Sequence, residues 1–215
     1  MPYLYNQQDS KVRYFGHESD CHCTGMRTSV NGAFGETTQP GKSLEEESKM
    51  VASTINEIFK SGRKPGIHDV NKLSDQVFFA RYPARDRRLI DPRTEPDLAA
   101  EWKHIKARLV LPILDAMDSN DTGKEAMYAE LYLPAMRFFD RARRITVSPA
   151  ELRAKATYNL GAANFQLKRF AAVIGYMEIV RTWKGTSEDL KDLRDKAERL
   201  FLKAKEEYSK AVPTT

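Results

Sequence analysis

The sequence predicts an all-α protein of antiparallel helical hairpins, preceded by an irregular, glycine-rich N-terminal arm. After residue 42, apolar residues recur at the three- and four-residue spacing of a helix, and no segment there requires a strand. Several of these periodic segments begin with capping signals. The chain has 215 residues, 41% of them hydrophobic and 30% charged, which is typical of a soluble globular protein with a core of its own.

Composition predicts three parts. Residues 1–42 are rich in glycine, serine, threonine and asparagine and lack a helical apolar period, which indicates an irregular arm. Residues 43–118 form a helical subdomain that includes an arginine-rich connector. The segment MDSNDTG, at residues 117–123, has the composition of a linker, so residues 119–215 are predicted to form a second set of hairpins that ends in a cap helix.

Two helices are predicted before the connector. Ser43 and Glu46 have the spacing of a capping box, and the first helix that they begin ends before Gly62. The second helix runs from about Asp69 and is stopped by Pro83. Their apolar stripes predict the core positions Met50, Val51, Ile55, Ile58, Phe59, Val70, Leu73, Val77 and Phe78.

The third and fourth helices each contain a proline. The third begins near Thr94, and Pro112 should kink it or mark its last turns. The fourth runs from about Thr122 to Arg144 and is interrupted or bent at Pro134. The apolar positions of the third helix are Leu98, Trp102, Ile105, Leu109, Ile113 and Leu114.

Three further helices complete the chain. Ser148, Pro149 and Glu151 supply an N-cap, a first-turn proline and a capping-box acid for the fifth helix. The sixth helix covers residues 170–183. Ser187 caps the seventh, in which Leu190, Leu193, Ala197, Phe201, Ala204 and Tyr208 form the apolar stripe.

The segment YNLGAANFQLKRFAAVIGYMEIV, at residues 158–180, carries the most specific pattern. Leu160 and Gly161 are an adjacent large and small residue, Ala163 allows close contact, and Phe170 opens the second helix after a Lys-Arg turn. This segment resembles a tetratricopeptide repeat, and the resemblance extends over roughly residues 122–211. The resemblance implies an open groove, lined by the first helix of each pair, that receives a peptide or a partner helix.

The function expected from this interpretation is that of an adaptor or scaffold that binds another protein or peptide and has no catalysis or cofactor of its own. The polar residues on or near the groove-lining helix are the expected contacts: Asn159, Asn164, Gln166 and Lys168. Solvated helix positions are the alternative interpretation of the same four residues.

A second hypothesis is binding of a polyanion, such as a nucleic acid, through the connector. Arg81, Arg85, Arg87 and Arg88 lie close together there, and a guanidinium suits phosphate because it donates two parallel hydrogen bonds. Acidic residues interleave with these arginines, so local ion pairs are the alternative. The net charge of +5 favours acidic partners only weakly.

A third hypothesis is a thiol- or metal-dependent hydrolase. The segment HESDCHC holds His17, Cys21, His22 and Cys23, which are donors that suit zinc, although their spacing is poor for a structural site. Cys21 and His22 could also form a nucleophilic site with the distant pair of His68 and Asp69.

Cysteine spacing and hydropathy suggest a location. The two cysteines are one residue apart, and the strain of a disulfide across so short a span favours a reducing, cytoplasmic compartment. No apolar run approaches the roughly 20 residues that a membrane-spanning helix needs, so no span is expected.

Overall fold

The computed structural model describes residues 43–82 and 93–211, and all of them belong to one compact unit. This part of the chain contains helices and no strand, which confirms the all-α prediction. The predicted arm, residues 1–42, lies outside the described residues. The helices are α1 (Leu44–Lys60), α2 (Ile67–Arg81), α3 (Pro96–Ile105), α4 (Leu111–Tyr128), α5 (Tyr132–Arg144), α6 (Ala150–Gln166), α7 (Phe170–Arg181) and α8 (Glu188–Ala211).

The capping box of α1 is present. The Ser43 hydroxyl accepts a hydrogen bond from the Glu46 N–H at 3.3 Å, and the Glu46 carboxylate accepts one from the Ser43 N–H at 2.7 Å. Val51 and Ile55 are fully buried in α1, where they pack with residues of α2 and α3, including Leu73. The predicted apolar stripes of the first two helices therefore form the core at this end of the molecule.

A π-helical turn, Lys106–Val110, joins α3 to α4 without a break in the helix. The Leu111 N–H donates to the Lys106 carbonyl, one residue further back than in an α-helix. Pro112 explains the wider turn, because it has no N–H to donate and its ring would clash with the Arg108 carbonyl. Of the two outcomes expected for Pro112, an end of the helix is wrong, since α4 continues to Tyr128.

The segment MDSNDTG is helical and lies inside α4, so the linker prediction is wrong. Ser119, Asn120 and Gly123 are buried in it, because α4 packs closely on α5 and α6. A Cβ atom on Gly123 would lie 2.6 Å from the ring of Phe139 in α5. Small and polar residues here serve close helix contact, and the predicted boundary between residues 118 and 119 falls within one helix.

The helix is interrupted at residues 129–131, a few residues before the interruption predicted at Pro134. Residues 129–131 form the turn, in which Glu130 has a φ of 58°. Pro134 lies in the first turn of α5, where a missing N–H leaves no intrahelical bond unmade. The predicted single helix from about Thr122 to Arg144 is therefore the end of α4 followed by α5.

The predicted caps of α6 and α8 differ from the observed ones. Pro149 is the N-cap of α6, and the Ser148 hydroxyl donates to the Ile145 carbonyl at 2.5 Å. Ser187 precedes α8 as predicted, and its carbonyl accepts from the Leu190 N–H, but its buried hydroxyl makes no hydrogen bond. Backbone geometry rather than a hydroxyl cap starts both helices.

Two hairpins, α4–α5 and α6–α7, repeat the same helix contact. Gly161 follows Gly123 by the same number of residues as Met177 follows Phe139. We call this separation in the sequence the repeat interval. In each hairpin the glycine of the first helix faces the large buried residue of the second, so that a Cβ atom would collide with it. The two hairpins are therefore structural repeats of one another.

The turns of the two hairpins are also equivalent. Glu130 and Lys168, which are separated by the repeat interval, have φ values of 58° and 57°. The next residue in each turn closes back on the first helix: the Leu131 N–H donates to the Ala126 carbonyl, and the Arg169 N–H to the Asn164 carbonyl. Because Leu131 and Arg169 are separated by the repeat interval as well, the same turn has been built twice from different side chains.

The helices from α4 onwards form two layers. In one layer α4 contacts α6 and α6 contacts α8, while α5 and α7 each pack between consecutive members of that layer. The stripe from Leu190 to Ala204 of α8 is buried, whereas Tyr208, which is predicted to belong to it, is 45% exposed. The opposite face of α8 is exposed and charged: Asp192, Asp195, Lys196, Arg199 and Lys203. That charged face ends the stack. None of the helices in the described ranges is both long and apolar enough to cross a bilayer.

Candidate binding groove

An open groove of about 360 Å³ lies between α1, α4 and α6, and we call it the inner groove. Its lining comes from four helices and the residue before one of them. The residues are Lys49, Ala52, Ser53 and Asn56 of α1, Met117, Asn120, Asp121 and Lys124 of α4, Pro149, Glu151, Leu152 and Lys155 at the start of α6, and Asp189 of α8.

Helix α1 forms one wall of the inner groove because its other face is tied to α2 and α3. Glu47, which is 1% exposed, accepts two hydrogen bonds from the Arg81 guanidinium at 2.8 and 2.6 Å. Arg81 also donates to Glu101 of α3. This network and the buried Val51 and Ile55 set the rotation of α1, which leaves its second face toward the groove.

The floor of the inner groove is apolar with amides beside it. Ala52, Met117 and Leu152 supply the apolar surface, one residue from each of the three helices. Asn120 is 4% exposed, and its side-chain oxygen accepts a hydrogen bond from the Asn159 amide at 3.1 Å. That bond links α4 to α6 beneath the groove and holds its two floor helices in register.

Three lysines stand at the rim, each beside a carboxylate. The pairs are Lys49 with Glu151 at 3.7 Å, Lys124 with Asp121 at 2.7 Å, and Lys155 with Asp189 at 2.9 Å. All three lysine side chains remain about half exposed, since their exposed fractions are 47–49%. The rim therefore offers cations and anions in alternation, and each pair is open to exchange with a charged ligand.

Two of the charged residues at the rim, Lys49 and Asp189, have shifted pKa values. The hydrogen bond to Glu45 and the charge of Glu151 raise the pKa of Lys49 above its usual value. The hydrogen bond and charge of Lys155 lower the pKa of Asp189. Both shifts favour the charged forms, so the rim keeps its ion pairs over the neutral pH range.

None of the four predicted contact residues lines the inner groove: one supports it, one is buried in the interior and two lie away from it. Asn159 lies under the inner groove through its bond to Asn120. The structure places Asn164 in the interior instead of on the groove: it is 2% exposed and its amide donates to the Leu160 carbonyl at 2.8 Å. Gln166 and Lys168 are exposed at the end of α6 and in the turn after it, away from the groove lining.

Sequence reasoning predicted none of the residues that line the inner groove, including those of α1 and α4. The groove residues of α1 recur at helical spacing from Lys49 to Asn56, but a polar helix face does not show which neighbour it will meet. Asp121 and Lys124 lie in the predicted linker and at its border. Only the structure shows that Gly123 is buried and serves a helix contact rather than a turn, so the sequence offered no signal for them.

Arg81 is part of the fold rather than an open polyanion contact. Burial lowers its pKa, but the hydrogen bonds and charges of Glu47 and Glu101 outweigh that effect and raise the pKa above its usual value. Its guanidinium is engaged on both sides. Arg85, Arg87 and Arg88 lie outside the described residues.

Asp69 likewise has a structural role. Its carboxylate accepts hydrogen bonds from the Arg63 guanidinium at 2.6 and 2.8 Å and from the Gly66 N–H at 2.9 Å, at the start of α2. His68, its predicted catalytic neighbour, lines a shallow depression with Asn71, Lys72 and Asp75. Cys21 and His22 lie outside the described residues, so the described part does not assemble the predicted nucleophilic site.

The predicted zinc ligands His17, Cys21, His22 and Cys23 all lie outside the described residues. Within residues 43–82 and 93–211, no three His, Cys, Asp or Glu side chains lie together in an arrangement that could hold a metal ion.

Comparison with known proteins found no matching family model, no matching curated protein and no matching solved structure.

Proposed function

We propose that this protein is an adaptor or scaffold module that binds a segment of another protein in the inner groove, without catalysis of its own. The observation that carries the proposal is the groove itself, which stays open between three helices and combines an apolar floor with amides and a charged rim. Such a combination suits a peptide, because it offers burial to an apolar side chain and partners to polar groups around it.

The repeated hairpins support the same proposal. Stacked hairpins leave a concave side lined by the first helix of each pair, and α4 and α6 are the first helices of the two equivalent hairpins. Both helices line the inner groove. This is the side on which tetratricopeptide repeats, which the α6–α7 hairpin resembles, receive their ligands.

The length of the inner groove suits a short extended segment. The lining residues of α1 run from Lys49 to Asn56 and those of α4 from Met117 to Lys124, and each run is about two turns, or about 10 Å, of helix. An extended peptide covers that length with about three residues.

The test blocks the inner groove without touching the core. Ser53 is exposed in the groove wall, so Ser53→Trp should fill the groove while α1 keeps its buried contacts. Asp195→Trp on the exposed charged face of α8 is the matched control. A photo-crosslinking residue at position 56 would identify proteins from a native lysate that lie in the groove.

We expect the wild type and Asp195→Trp to capture the same crosslinked partner and Ser53→Trp to lose it, with unchanged far-UV circular dichroism in all three. If Ser53→Trp captures the same proteins in the same yield, the inner groove is not the binding site and the proposal is wrong.

A further inference from the structure

A second surface lies at one end of the molecule, away from the inner groove. Helix α5 returns the chain between α4 and α6, so α4 and α6 run in the same direction. The Asn120–Asn159 hydrogen bond lies about two helical turns before the end of each. The turn after α4 and the turn after α6 therefore lie at the same end, which we call the turn end.

The C-terminal part of α8 reaches the turn end as well. The Lys203 ammonium lies 5.2 Å from the ring centroid of Phe165, which is one residue before the end of α6. Helix α8 continues from there to Ala211, about 12 Å further along its axis. Two turns and one helix end thus form a common surface.

Exposed apolar side chains concentrate at the turn end. Tyr128 is 87% exposed, and Leu131 and Leu133 are each 54% exposed. Of the ten large hydrophobic residues that are exposed in the described part of the chain, five lie here: Tyr128, Leu131, Leu133, Leu202 and Tyr208. Such a concentration is typical of a contact surface, whereas single exposed hydrophobic residues are ordinary.

The second hairpin shows that the first turn does not need these side chains to form. In the second hairpin, the positions equivalent to Tyr128, Leu131 and Leu133 are occupied by Gln166, Arg169 and Ala171. The backbone conformation and the closing hydrogen bonds are the same in both turns. The apolar residues of the first turn are therefore available for an interaction outside the chain.

Unpaired cations also lie at the turn end, on the second turn, on α5 and on α8. Arg137, Lys168, Arg169, Lys203 and Lys205 make no ion pair with any described residue. The carboxylates at this end are Glu125 and Glu130, which are also unpaired among the described residues, and Glu206 and Glu207, which share Lys210. Positive charge is in excess at the turn end.

We propose that the turn end docks on an anionic lipid surface. Tyr128, Leu131 and Leu133 are exposed in and beside a turn, and a fluid bilayer interface accepts an exposed apolar turn without a matching pocket. Tyrosine and leucine enter the boundary between headgroups and acyl chains, while lysine and arginine beside them contact lipid phosphates. This interaction is peripheral, and it is independent of the peptide binding proposed for the inner groove.

The test measures binding to vesicles of phosphatidylcholine with and without phosphatidylglycerol by flotation. Tyr128→Gln with Leu133→Ala removes apolar surface by installing the residues of the equivalent second turn. Lys168→Gln with Arg169→Gln removes two cations and leaves the exposed apolar side chains intact. Leu111→Gln, at an exposed leucine at the start of α4, is the matched control.

We expect wild type and Leu111→Gln to bind the vesicles that contain phosphatidylglycerol, and each double variant to bind them at least about tenfold more weakly. Vesicles of phosphatidylcholine alone should bind the wild type more weakly by a similar factor. Circular dichroism checks that all variants are folded.

Three results would overturn the proposal. In the first, the wild type binds neither kind of vesicle. In the second, the apolar double variant binds as well as the wild type. In the third, Leu111→Gln loses as much binding as the double variants do. If a protein partner, and no vesicle, depends on Tyr128 and Leu133, the turn end is a protein-binding surface and the lipid assignment is wrong.

Discussion

Arg81 and Asp69 show how charged residues that suggest a functional site can belong to the fold. The Arg81 guanidinium joins the buried Glu47 of α1 to Glu101 of α3, and the Asp69 carboxylate bonds the Gly66 N–H at the start of α2. A sequence shows that such residues are charged but not which partner meets them. The partners of Arg81 lie far away in the sequence, and those of Asp69 lie in a neighbouring loop.

The pH dependence of stability should reveal the role of Asp69. Its hydrogen bonds from Arg63 and Gly66 lower its pKa, so the folded state holds the carboxylate in its ionised form more firmly than the unfolded chain does. The resulting stabilisation is fully present above the unfolded value of about 3.9 and is lost as the pH falls toward the lower folded value. Urea unfolding of wild type and Asp69→Asn should therefore differ most near neutral pH and converge in acid.

His68→Gln is the control for that experiment, because His68 adjoins Asp69 but is exposed. The charge of His68 is the smallest of the contributions that lower the pKa of Asp69, so His68→Gln should change the acid part of the profile much less than Asp69→Asn does. A stability difference between wild type and Asp69→Asn that stays constant below about pH 4 would contradict the role assigned to the carboxylate.

Substituting two glycines by alanine should distinguish a glycine that allows close helix contact from one that only lies within a helix. Gly123→Ala places a Cβ atom 2.6 Å from the buried Phe139 ring and should lower the free energy of unfolding by about 1–3 kcal/mol. Gly175→Ala, in α7, meets nothing within 4 Å and should raise it by about 0.5–1 kcal/mol, because alanine restricts the unfolded chain. Urea denaturation of the two variants measures both changes, and equal signs would contradict the packing role of Gly123.

At the scale of helices, the sequence predicts most of the elements and their buried faces. The stripes through Val51, Val70, Leu98 and Leu190 are buried as expected, because an amphipathic helix in a globular domain has few alternatives. The errors lie where small and polar residues meet another helix. MDSNDTG has the composition of a turn, yet tertiary packing at Gly123 makes it helical.

The candidate site is less accessible to prediction than the helices. The sequence indicates Asn159 as a residue near a groove, but the wall from Lys49 to Asn56 comes from a helix much earlier in the chain. Periodicity shows that a helix has a second, polar face and does not show what that face adjoins. The inner groove depends on long-range packing, which local sequence patterns do not contain.

The two equivalent turns give a prediction at the scale of these elements. Glu130 and Lys168 both have positive φ values, which cost a residue with a Cβ atom about 1 kcal/mol or more relative to glycine. Glu130→Gly and Lys168→Gly should each raise the free energy of unfolding by about 1 kcal/mol. Ala129→Gly, beside the first turn residue at a φ of −83°, should lower it by about 0.5–1 kcal/mol.

Urea denaturation of the three variants and wild type tests this equivalence. Similar gains at positions 130 and 168 would support a common turn in the two repeats. A loss of stability at either position would show that its side chain contributes more than the conformation costs.

At the scale of the whole molecule, the long helix from Pro96 to Tyr128 connects the two ends. Its first part, with Ile105 and Ile113, belongs to the core that α1 and α2 complete. Its last part packs through Gly123 on α5. The inner groove spans both regions, since α1 lies on one side of it and α6 on the other. A stable groove therefore requires that the two regions fold together.

The two tryptophans test that cooperativity, because each belongs to a different core. Trp102 packs on the core of α1 to α4, and Trp183 on the core of α6 to α8. In Trp102→Phe the fluorescence reports only the second core, and in Trp183→Phe only the first. Because α4 is shared and each hairpin contacts the next, fluorescence and far-UV circular dichroism should give the same urea midpoint within each variant. A Trp183 signal that changes at lower urea than the circular dichroism of the same variant would mean that α6–α8 unfold separately, and the groove wall that they supply would then be lost before α1 and α4 unfold.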